Sequence, residues 1–430
     1  MLNMISEISN QRSRSLHPKV RFIAKVASLA SLAIGGFLLV IGVRLIIQNK
    51  NDSLLLPVNQ EWLLSFTSGD LSTAVLPALT TTQKAPKIIY GFLPYWTVKE
   101  LPQHSQLTHL GYFALPINRD GKFVTAHGDG AMGWRTYSSP TLDQIRIQAQ
   151  KRNQQFEVLI TMMDPEEISA FLMNPSAQET FFGQVKTLIT SQPIDGINID
   201  IEYAGEVDDA LRTAYTTFIK KLSIHTKRLS PSIHLSIDVF ADSALKTRIW
   251  DIPALAPHLD HIVIMTYDFY RSSSPQAGPV APIFGSDTNR WDIDIVKTLK
   301  PFVDKVPANK LLLGIPFYGY EWRTSGEGPN ASTYPKSGGL ATYKRVQTLL
   351  QKDRTIKEQW DRDALSPYIL YKKQGNSYVI YYENSRSLSY KLDLVNELGM
   401  GGIAIWALGY EGNAPELWTV IQQKLESVSK

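Results

Sequence analysis

The segment DGINIDIEY, residues 195–203, places acidic side chains inside a run that otherwise has the composition of a buried strand. In a strand, residues two apart point to the same face, so Asn198, Asp200 and Glu202 would share one face and the isoleucines the other. Two carboxyl groups held this close repel each other as anions, which raises one pKa and creates a proton donor near neutral pH. An ion pair or a cap at a strand end is the alternative explanation for such a pair.

Eight short apolar runs recur along the chain, and segments with helical character separate them. The runs are KIIYGFL (87–93), LTHLGYFAL (107–115), FEVLITMM (156–163), DGINIDIEY, IHLSIDVF (233–240), HIVIMTYD (261–268), KLLLGIPFYG (310–319) and GGIAIWALG (401–409). The helical segments are 176–190, 210–229 and 291–303. Runs rich in Val, Ile and Leu suit parallel strands covered on both faces, so the pattern predicts an α/β protein with a (β/α)8 TIM barrel.

An open doubly wound sheet is the alternative architecture for alternating strands and helices. It requires a glycine-rich phosphate turn after an early strand, and GFLPYW is not such a turn. In a barrel, Glu202 would lie at the carboxyl end of its strand, which is the end where barrel enzymes carry out their chemistry.

The interval between the seventh and eighth runs is longer than one crossover helix needs. It spans about 80 residues and contains a strand-like pair at 366–383, with QGNS as the turn. We therefore predict a small α+β insertion at about 321–385, near the mouth of the barrel.

The N-terminal segment predicts a membrane anchor. Val26 to Val43 is an uncharged run of 18 residues, and five basic residues precede it. A helix of this length spans roughly 27 Å, close to the hydrocarbon thickness of a bilayer. The charge bias predicts a cytoplasmic segment at 1–25, a transmembrane signal anchor at 26–47 and a linker at 48–84, with the catalytic domain outside the cytoplasm. A cleaved signal peptide and a buried soluble helix are the alternatives.

Composition excludes several classes of site. Residues 1–50 hold seven Lys or Arg and one acid, whereas the remaining 37 basic and 39 acidic residues nearly cancel. The body of the chain therefore gives no reason to expect a nucleic-acid partner. The chain has no cysteine, and its eight histidines show no ligand spacing such as H-x-x-x-H. We expect neither a metal nor another cofactor.

DGINIDIEY resembles the D-G-x-D-x-D-x-E signature of glycoside hydrolase family 18, the chitinase family. YGF at 90–92, MTYD at 265–268, GIPFYG at 314–319 and GGIAIWALG resemble, in the same order, the first, sixth, seventh and eighth strands of that family. The resemblance covers roughly residues 85–426. It implies a barrel that cleaves β-1,4 linkages in polymers containing N-acetylglucosamine, with an insertion between strands seven and eight.

The resemblance also implies a mechanism, because this family is a substrate-assisted exception among glycosidases. Glu202 would protonate the glycosidic oxygen, while the substrate's own 2-acetamido carbonyl attacks the anomeric carbon and retains its configuration. Asp200 would orient the acetamido group and stabilise its developing positive charge, and Tyr267 would hydrogen-bond its oxygen.

The remaining site residues implied by the resemblance bind the substrate. Met265 and Asp268 would line the same subsite, Asn198 would lie beside them, and Trp406 would form the floor, where the apolar face of a sugar packs well on an indole ring. Without the resemblance, plain core packing would be the simpler explanation for Trp406.

Two departures from chitinases favour a branch of the family. Asn198 stands where chitinases usually carry an aspartate. An amide cannot take up a proton, so a proton cannot shuttle between positions 198 and 200. The third run ends TMMDPEE (161–167) rather than S-x-G-G, and YYENSRSLSYK (381–391) resembles a stretch of the bacterial spore-cortex and cell-wall enzymes. These features make peptidoglycan a candidate substrate in addition to chitin.

Three functions remain open from the sequence. The first is a membrane-anchored hydrolase of N-acetylglucosamine polymers. The second is a lectin on the same barrel, although family lectins typically lose the acid that Glu202 supplies here. The third is a structural or interaction protein that uses the insertion, for which the sequence offers no positive feature.

Overall fold

The computed structural model describes residues 86–100, 106–126 and 128–425. Thirteen strands run through this part of the chain, and their bounds follow in chain order. They are β1 (Ile88–Pro94), β2 (His109–Pro116), β3 (Gln155–Met162), β4 (Gly196–Ile201), β5 (His234–Phe240), β6 (His261–Met265), β7 (Leu311–Pro316), β8 (Tyr318–Thr324), β9 (Gly339–Thr342), β10 (Glu358–Asp361), β11 (Ser366–Lys373), β12 (Asn376–Tyr381) and β13 (Gly402–Trp406).

Eight of these strands close into a barrel in the order β1-β13-β7-β6-β5-β4-β3-β2, and neighbouring strands are parallel. Each of the eight predicted apolar runs overlaps one of them, so the predicted barrel is confirmed and the open sheet is wrong. The runs are apolar on both faces because one face packs inside the barrel and the other against the surrounding helices.

The helices lie between the barrel strands and within the insertion. Their bounds are α1 (Gly128–Tyr137), α2 (Pro140–Lys151), α3 (Pro165–Leu172), α4 (Pro175–Ser191), α5 (Asp209–Leu229), α6 (Ile252–Leu255), α7 (Ile295–Val303), α8 (Tyr343–Lys352), α9 (Ser385–Glu397) and α10 (Pro415–Leu425).

Two of the three predicted helices match α4 and α5 to within a residue. The third was expected to begin at Trp291, but α7 begins at Ile295. Asp294 caps this helix, since its side chain accepts a hydrogen bond from the Lys297 amide at 2.8 Å. A capping residue has non-helical backbone angles, so Asp294 sets the boundary that hydrophobic periodicity alone placed too early.

The insertion between β7 and β13 is a five-stranded antiparallel sheet in the order β10-β11-β12-β8-β9, with α8 beside it. It begins at Tyr318 rather than at 321, because the predicted seventh run continues past β7 into β8. The predicted hairpin is present, but its turn consists of Gln374 and Gly375 alone, and Lys373 pairs with Asn376. Both turn residues have positive φ, 51° and 76°, as a two-residue hairpin turn requires.

In the part of the chain that the structure covers, no helix has both the length and the apolar character needed to cross a membrane. The predicted cytoplasmic segment at 1–25, the signal anchor at 26–47 and the linker at 48–84 lie outside the described residues.

Candidate active site

The alternation predicted for β4 is present. Asn198 pairs in register with Leu159, which packs in the apolar cluster that fills the barrel. Asn198 therefore points into the barrel, and Asp200 and Glu202 follow on the same face towards the carboxyl end of the strand. The intervening isoleucines are almost fully buried on the other face. The two carboxylates are thus fixed by a strand, so their positions depend little on loop conformation.

Burial dominates the electrostatics of this pair. Asp200 is 3% exposed, and burial, followed by the charges of Glu202 and Asp238, raises its pKa well above the usual value. Burial raises the pKa of Glu202 to about 7; the positive charge of Arg271 opposes this rise. At neutral pH a substantial fraction of Glu202 is therefore protonated, as a proton donor must be.

A third carboxylate, Asp238 on β5, belongs to the same group. Burial raises its pKa well above the usual value, and a hydrogen bond from Asn198 opposes the rise. Asp238 is not among the predicted site residues. A signal was available, because Ser236 and Asp238 alternate with apolar residues in IHLSIDVF as the polar residues do in DGINIDIEY.

Asn198 holds this third carboxylate in place. Its side-chain amide donates to Asp238 Oδ1 at 2.8 Å and to Ser236 Oγ at 3.0 Å. The side chain is completely buried and is not among the residues that line the cavity. These contacts suit the positioning of Asp238, and the predicted contact of Asn198 with substrate stays a prediction.

The end of β6 contributes the residues predicted from the MTYD motif. Met265 is the last residue of the strand, and Tyr267 and Asp268 follow it around the same cavity. Burial, then the charges of Asp238 and Asp200, raises the pKa of Tyr267 well above the usual value, so its hydroxyl stays protonated and can donate a hydrogen bond. Asp268 accepts hydrogen bonds from the hydroxyls of Tyr318, at 2.5 Å, and Tyr320, at 3.0 Å.

Trp406 ends β13 and lies across the barrel mouth among other aromatic rings. Its indole centroid is 4.7 Å from that of Phe113 and 5.6 Å from that of Phe92. These edge contacts fix the plane of the ring while part of it stays exposed to the cavity. The ring therefore lines the cavity, and its role as the floor of a sugar subsite stays a prediction.

These side chains surround one cavity of about 570 Å³ at the carboxyl end of the barrel. The cavity brings together Asp200, Glu202, Met265, Tyr267, Asp268 and Trp406, which are all of the predicted site residues except Asn198. Two arginines, Arg248 and Arg271, also line it and were not predicted. The side chain of Arg248 is bound by Asp242 at 2.7 Å.

A second cavity of about 410 Å³ shares Phe113 with the first and extends the groove. Tyr95, Trp96 and Met163 line it, and Trp96 is 44% exposed. An exposed indole beside an open groove suits the apolar face of a sugar.

A different polar group lies at the other end of the barrel. One ligand atom from each of His109, Glu157 and His234 falls within 4.8 Å of the others. These residues lie on separate strands far apart in the sequence, so no local ligand spacing marks the group.

Comparison with known proteins agrees with this geometry. Residues 84–411 match the family model "Glycosyl hydrolases family 18". The cortical fragment-lytic enzyme of Bacillus subtilis (strain 168) is 25% identical over 341 residues, which cover 75% of this chain and 69% of that protein. The chain spans about half the length of other curated relatives that it matches, 56% of one and 40% of another.

Solved structures share the fold. The Group IV chitinase of Ostrinia furnacalis, crystallised with allosamidin, has a TM-score of 0.66 at 21% identity over 80% of this chain and all of that one. The spore cortex-lytic enzyme SleL of Bacillus megaterium QM B1551 has a TM-score of 0.62 at 19% identity over 88% of this chain and 83% of that one.

Proposed function

Because this chain belongs to glycosyl hydrolases family 18, we propose that it hydrolyses β-1,4 linkages of polymers containing N-acetylglucosamine, by a retaining, substrate-assisted mechanism. The observation that carries the proposal is the protonated carboxyl of Glu202, whose pKa burial raises to about 7, beside a second buried carboxylate at the mouth of the barrel. A proton donor and a second carboxyl group that can face the charge developing on the substrate are what the reaction needs.

Glu202 donates its proton to the glycosidic oxygen as the bond to the anomeric carbon breaks. The substrate's acetamido oxygen attacks that carbon from the opposite face and forms a cyclic oxazolinium ion. Glu202, now an anion, takes a proton from the water that opens this ion. Glu202 thereby regains a proton, so the enzyme is restored. Two successive attacks on the anomeric carbon retain its configuration.

Asp200 and Tyr267 act on the acetamido group. The hydroxyl of Tyr267, held protonated, donates to the acetamido oxygen and turns it towards the anomeric carbon. Asp200 faces the positive charge that develops on the acetamido nitrogen, and its buried position strengthens this interaction. Neither interaction requires a metal or a cofactor.

We place peptidoglycan ahead of chitin as the substrate. Three features support this choice: the amide at Asn198, the TMMDPEE sequence after β3, and the similarity to a relative named for cortical fragments. Arg271 adds a fourth, since it lines the cavity and forms no ion pair with a carboxylate among the described residues. Chitin is neutral, whereas the peptide stems attached to the muramyl units of peptidoglycan carry carboxyl groups that a guanidinium binds well.

The test is product release by the full-length protein from chitin oligosaccharides and from purified peptidoglycan. Wild type should release reducing ends, preferentially from peptidoglycan, and Glu202→Gln should lower the rate by at least 100-fold, the range for loss of a general acid. Glu206→Gln is the matched control, because Glu206 is an exposed carboxylate four residues further along. Arg271→Gln should slow peptidoglycan cleavage more than cleavage of the neutral oligosaccharide.

A lectin on the same barrel is the second candidate, and the observation that favours it is the buried amide of Asn198, which lies beside the carboxylates and cannot take up a proton. Sugar binding without release of reducing ends from either polymer would establish the lectin. Release that Glu202→Gln leaves unchanged would place the chemistry elsewhere.

We also propose that the chain is anchored in a membrane by residues 26–47, with the barrel outside the cytoplasm. The uncharged run and the basic residues before it support this proposal. Full-length protein should stay with membranes after a carbonate wash and migrate on a gel at its full length. Recovery of a shorter, released form would show a cleaved signal peptide instead.

A further inference from the structure

The polar group at the amino-terminal end of the barrel has no part in the proposed reaction. His109, His234 and His261 are the first residues of β2, β5 and β6, and Glu157 lies on β3. The parallel arrangement brings the beginnings of these strands to one edge of the barrel, opposite the catalytic cavity. Three imidazoles and one carboxylate thus meet at a point where a barrel usually buries apolar side chains.

The donor atoms of this group converge. One atom from each of His109, Glu157 and His234 lies within 4.8 Å of the others, and His234 Nδ1 is 3.5 Å from Glu157 Oε1. The ring centroids of the three histidines are 5.7, 6.1 and 6.2 Å apart. Ligand atoms around a tetrahedral Zn²⁺ lie about 3.4 Å apart, so small side-chain rotations bring these donors to one ion.

Two of the histidine nitrogens have no hydrogen-bond partner. Among the described residues, His109 Nε2 and His261 Nδ1 are buried and make no hydrogen bond, and His234 Nδ1 is buried with only the Glu157 carboxylate, at 3.5 Å, as a partner. The opposite nitrogen of His109 is 2.8 Å from the hydroxyl of Thr108. Metal-binding histidines are commonly held in this way by their outer nitrogen, which leaves the other free for the ion.

Two glycines make the space that the group occupies. A Cβ at Gly196 would lie 2.7 Å from the carboxyl carbon of Glu157, and a Cβ at Gly111 would lie 2.2 Å from the hydroxyl of Tyr90. Gly111, Glu157, Gly196 and His234 are register partners across four neighbouring strands. Any larger residue at either glycine would displace the carboxylate or the tyrosine from the interior.

We propose that His109, Glu157 and His234 bind one divalent transition-metal ion, Zn²⁺ in the first instance, with His261 or a water as the fourth ligand. Two imidazoles and a carboxylate are an established zinc ligand set. An ion pair between His234 and Glu157 is the alternative, but it leaves the free nitrogens of His109 and His261 buried without partners. The side chain of His234 is 31% exposed, which gives an ion a route from solvent.

The ion would join β2, β3 and β5 at the end of the barrel away from the cavity. Its role is therefore structural: binding stabilises the folded chain, because the unfolded chain does not hold these residues together. Hydrolysis at a temperature well below unfolding should depend little on it.

The experiment uses untagged full-length protein, stripped with a chelator, incubated with Zn²⁺ and passed through a desalting column. Elemental analysis should find about one zinc per chain, and Zn²⁺ should raise the Tm of the stripped protein. His109→Ala and Glu157→Gln should each bind zinc at least tenfold more weakly and lose the rise in Tm. His258→Ala, which changes a histidine outside the group, should behave as wild type.

If a variant fails to fold, zinc X-ray absorption of the wild-type protein still tests the proposal. It should show nitrogen and oxygen ligands at about 2.0–2.1 Å with more than one imidazole. Wild-type protein that retains no zinc and shows no rise in Tm would overturn the proposal, as would variants that retain as much zinc as wild type.

Discussion

Glu202 and Asp200 acquire their chemistry from burial. An ordinary glutamate is ionised at neutral pH and cannot serve as an acid, but burial raises the pKa of Glu202 to about 7. Alternating residue types in DGINIDIEY predicted the pair, because strand geometry alone determines which side chains share a face. Asp238 was missed because it comes from another strand, and the buried position of Asn198 depends on that same long-range contact.

Replacement of Asn198 tests whether the three carboxylates titrate together. Asn198→Asp removes the amide that donates to Asp238 and adds an ionisable group beside Asp200. An added negative charge raises the pKa of neighbouring acids, so the alkaline limb of the kcat/KM profile should move up by a fraction of a unit to about one unit. The exposed Asn413→Asp serves as the control, and an unchanged profile in Asn198→Asp would show that the carboxylates are not coupled.

The raised pKa of Glu202 also predicts a stability cost. Between its ordinary pKa of about 4.3 and the folded value, the folded protein binds more protons than the unfolded chain, so stability falls as the pH rises through this window. Glu202→Gln removes the charge and should raise the stability at pH 8 by on the order of 2 kcal/mol, with no gain at pH 4. Thermal unfolding at both pH values measures this.

In the same experiment, Glu206→Gln should change the Tm little at either pH, because Glu206 is exposed. A Tm of Glu202→Gln equal to that of wild type at pH 8 would mean that the Glu202 carboxylate is well solvated.

At the scale of elements, the eight barrel strands were predictable because each is a short apolar run with its own local signal. The boundary between β7 and β8 was not predictable, because the single continuous run KLLLGIPFYG contributes residues to both the barrel and the insertion sheet. Gly319 resolves the ambiguity only in three dimensions: a Cβ there would lie 1.8 Å from the carbonyl oxygen of Tyr381. The histidine group also has no local spacing that could predict it, because its members lie on separate strands.

The YYENSRSLSYK stretch has a structural explanation at this scale. Glu383 and Lys391 form a buried ion pair at 2.8 Å that fixes α9 to the end of the insertion sheet. Lys391→Met leaves the carboxylate buried without its partner and should lower the free energy of unfolding by about 3–5 kcal/mol. Chemical denaturation of the variant measures this loss.

The matched control is Lys424→Met, which breaks a half-exposed pair with Asp393 and should cost less than about 1 kcal/mol. Adding Glu383→Gln to Lys391→Met should restore much of the lost stability. A cost for Lys391→Met no larger than the control would mean that water reaches the pair.

At the scale of the whole molecule, the barrel separates two sets of polar side chains. The carboxyl ends of the strands hold the carboxylates proposed to be catalytic, and the amino ends hold the proposed metal ligands. Substitutions at the metal-binding end should therefore leave hydrolysis unchanged, and substitutions at the other end should leave metal binding unchanged. The sequence predicted the catalytic end because a strand motif encodes it, whereas the other end is assembled from residues on separate strands.

The central claim is that the substrate's own acetamido group attacks the anomeric carbon while Glu202 donates the proton. The most direct measurement follows the anomeric configuration of the first product by ¹H NMR, with wild-type full-length protein and an N-acetylglucosamine oligosaccharide or soluble peptidoglycan fragments. Attack by the acetamido group should give the β-anomer first, which only later equilibrates with the α-anomer. An α-anomer formed first would show direct attack by water and contradict this claim.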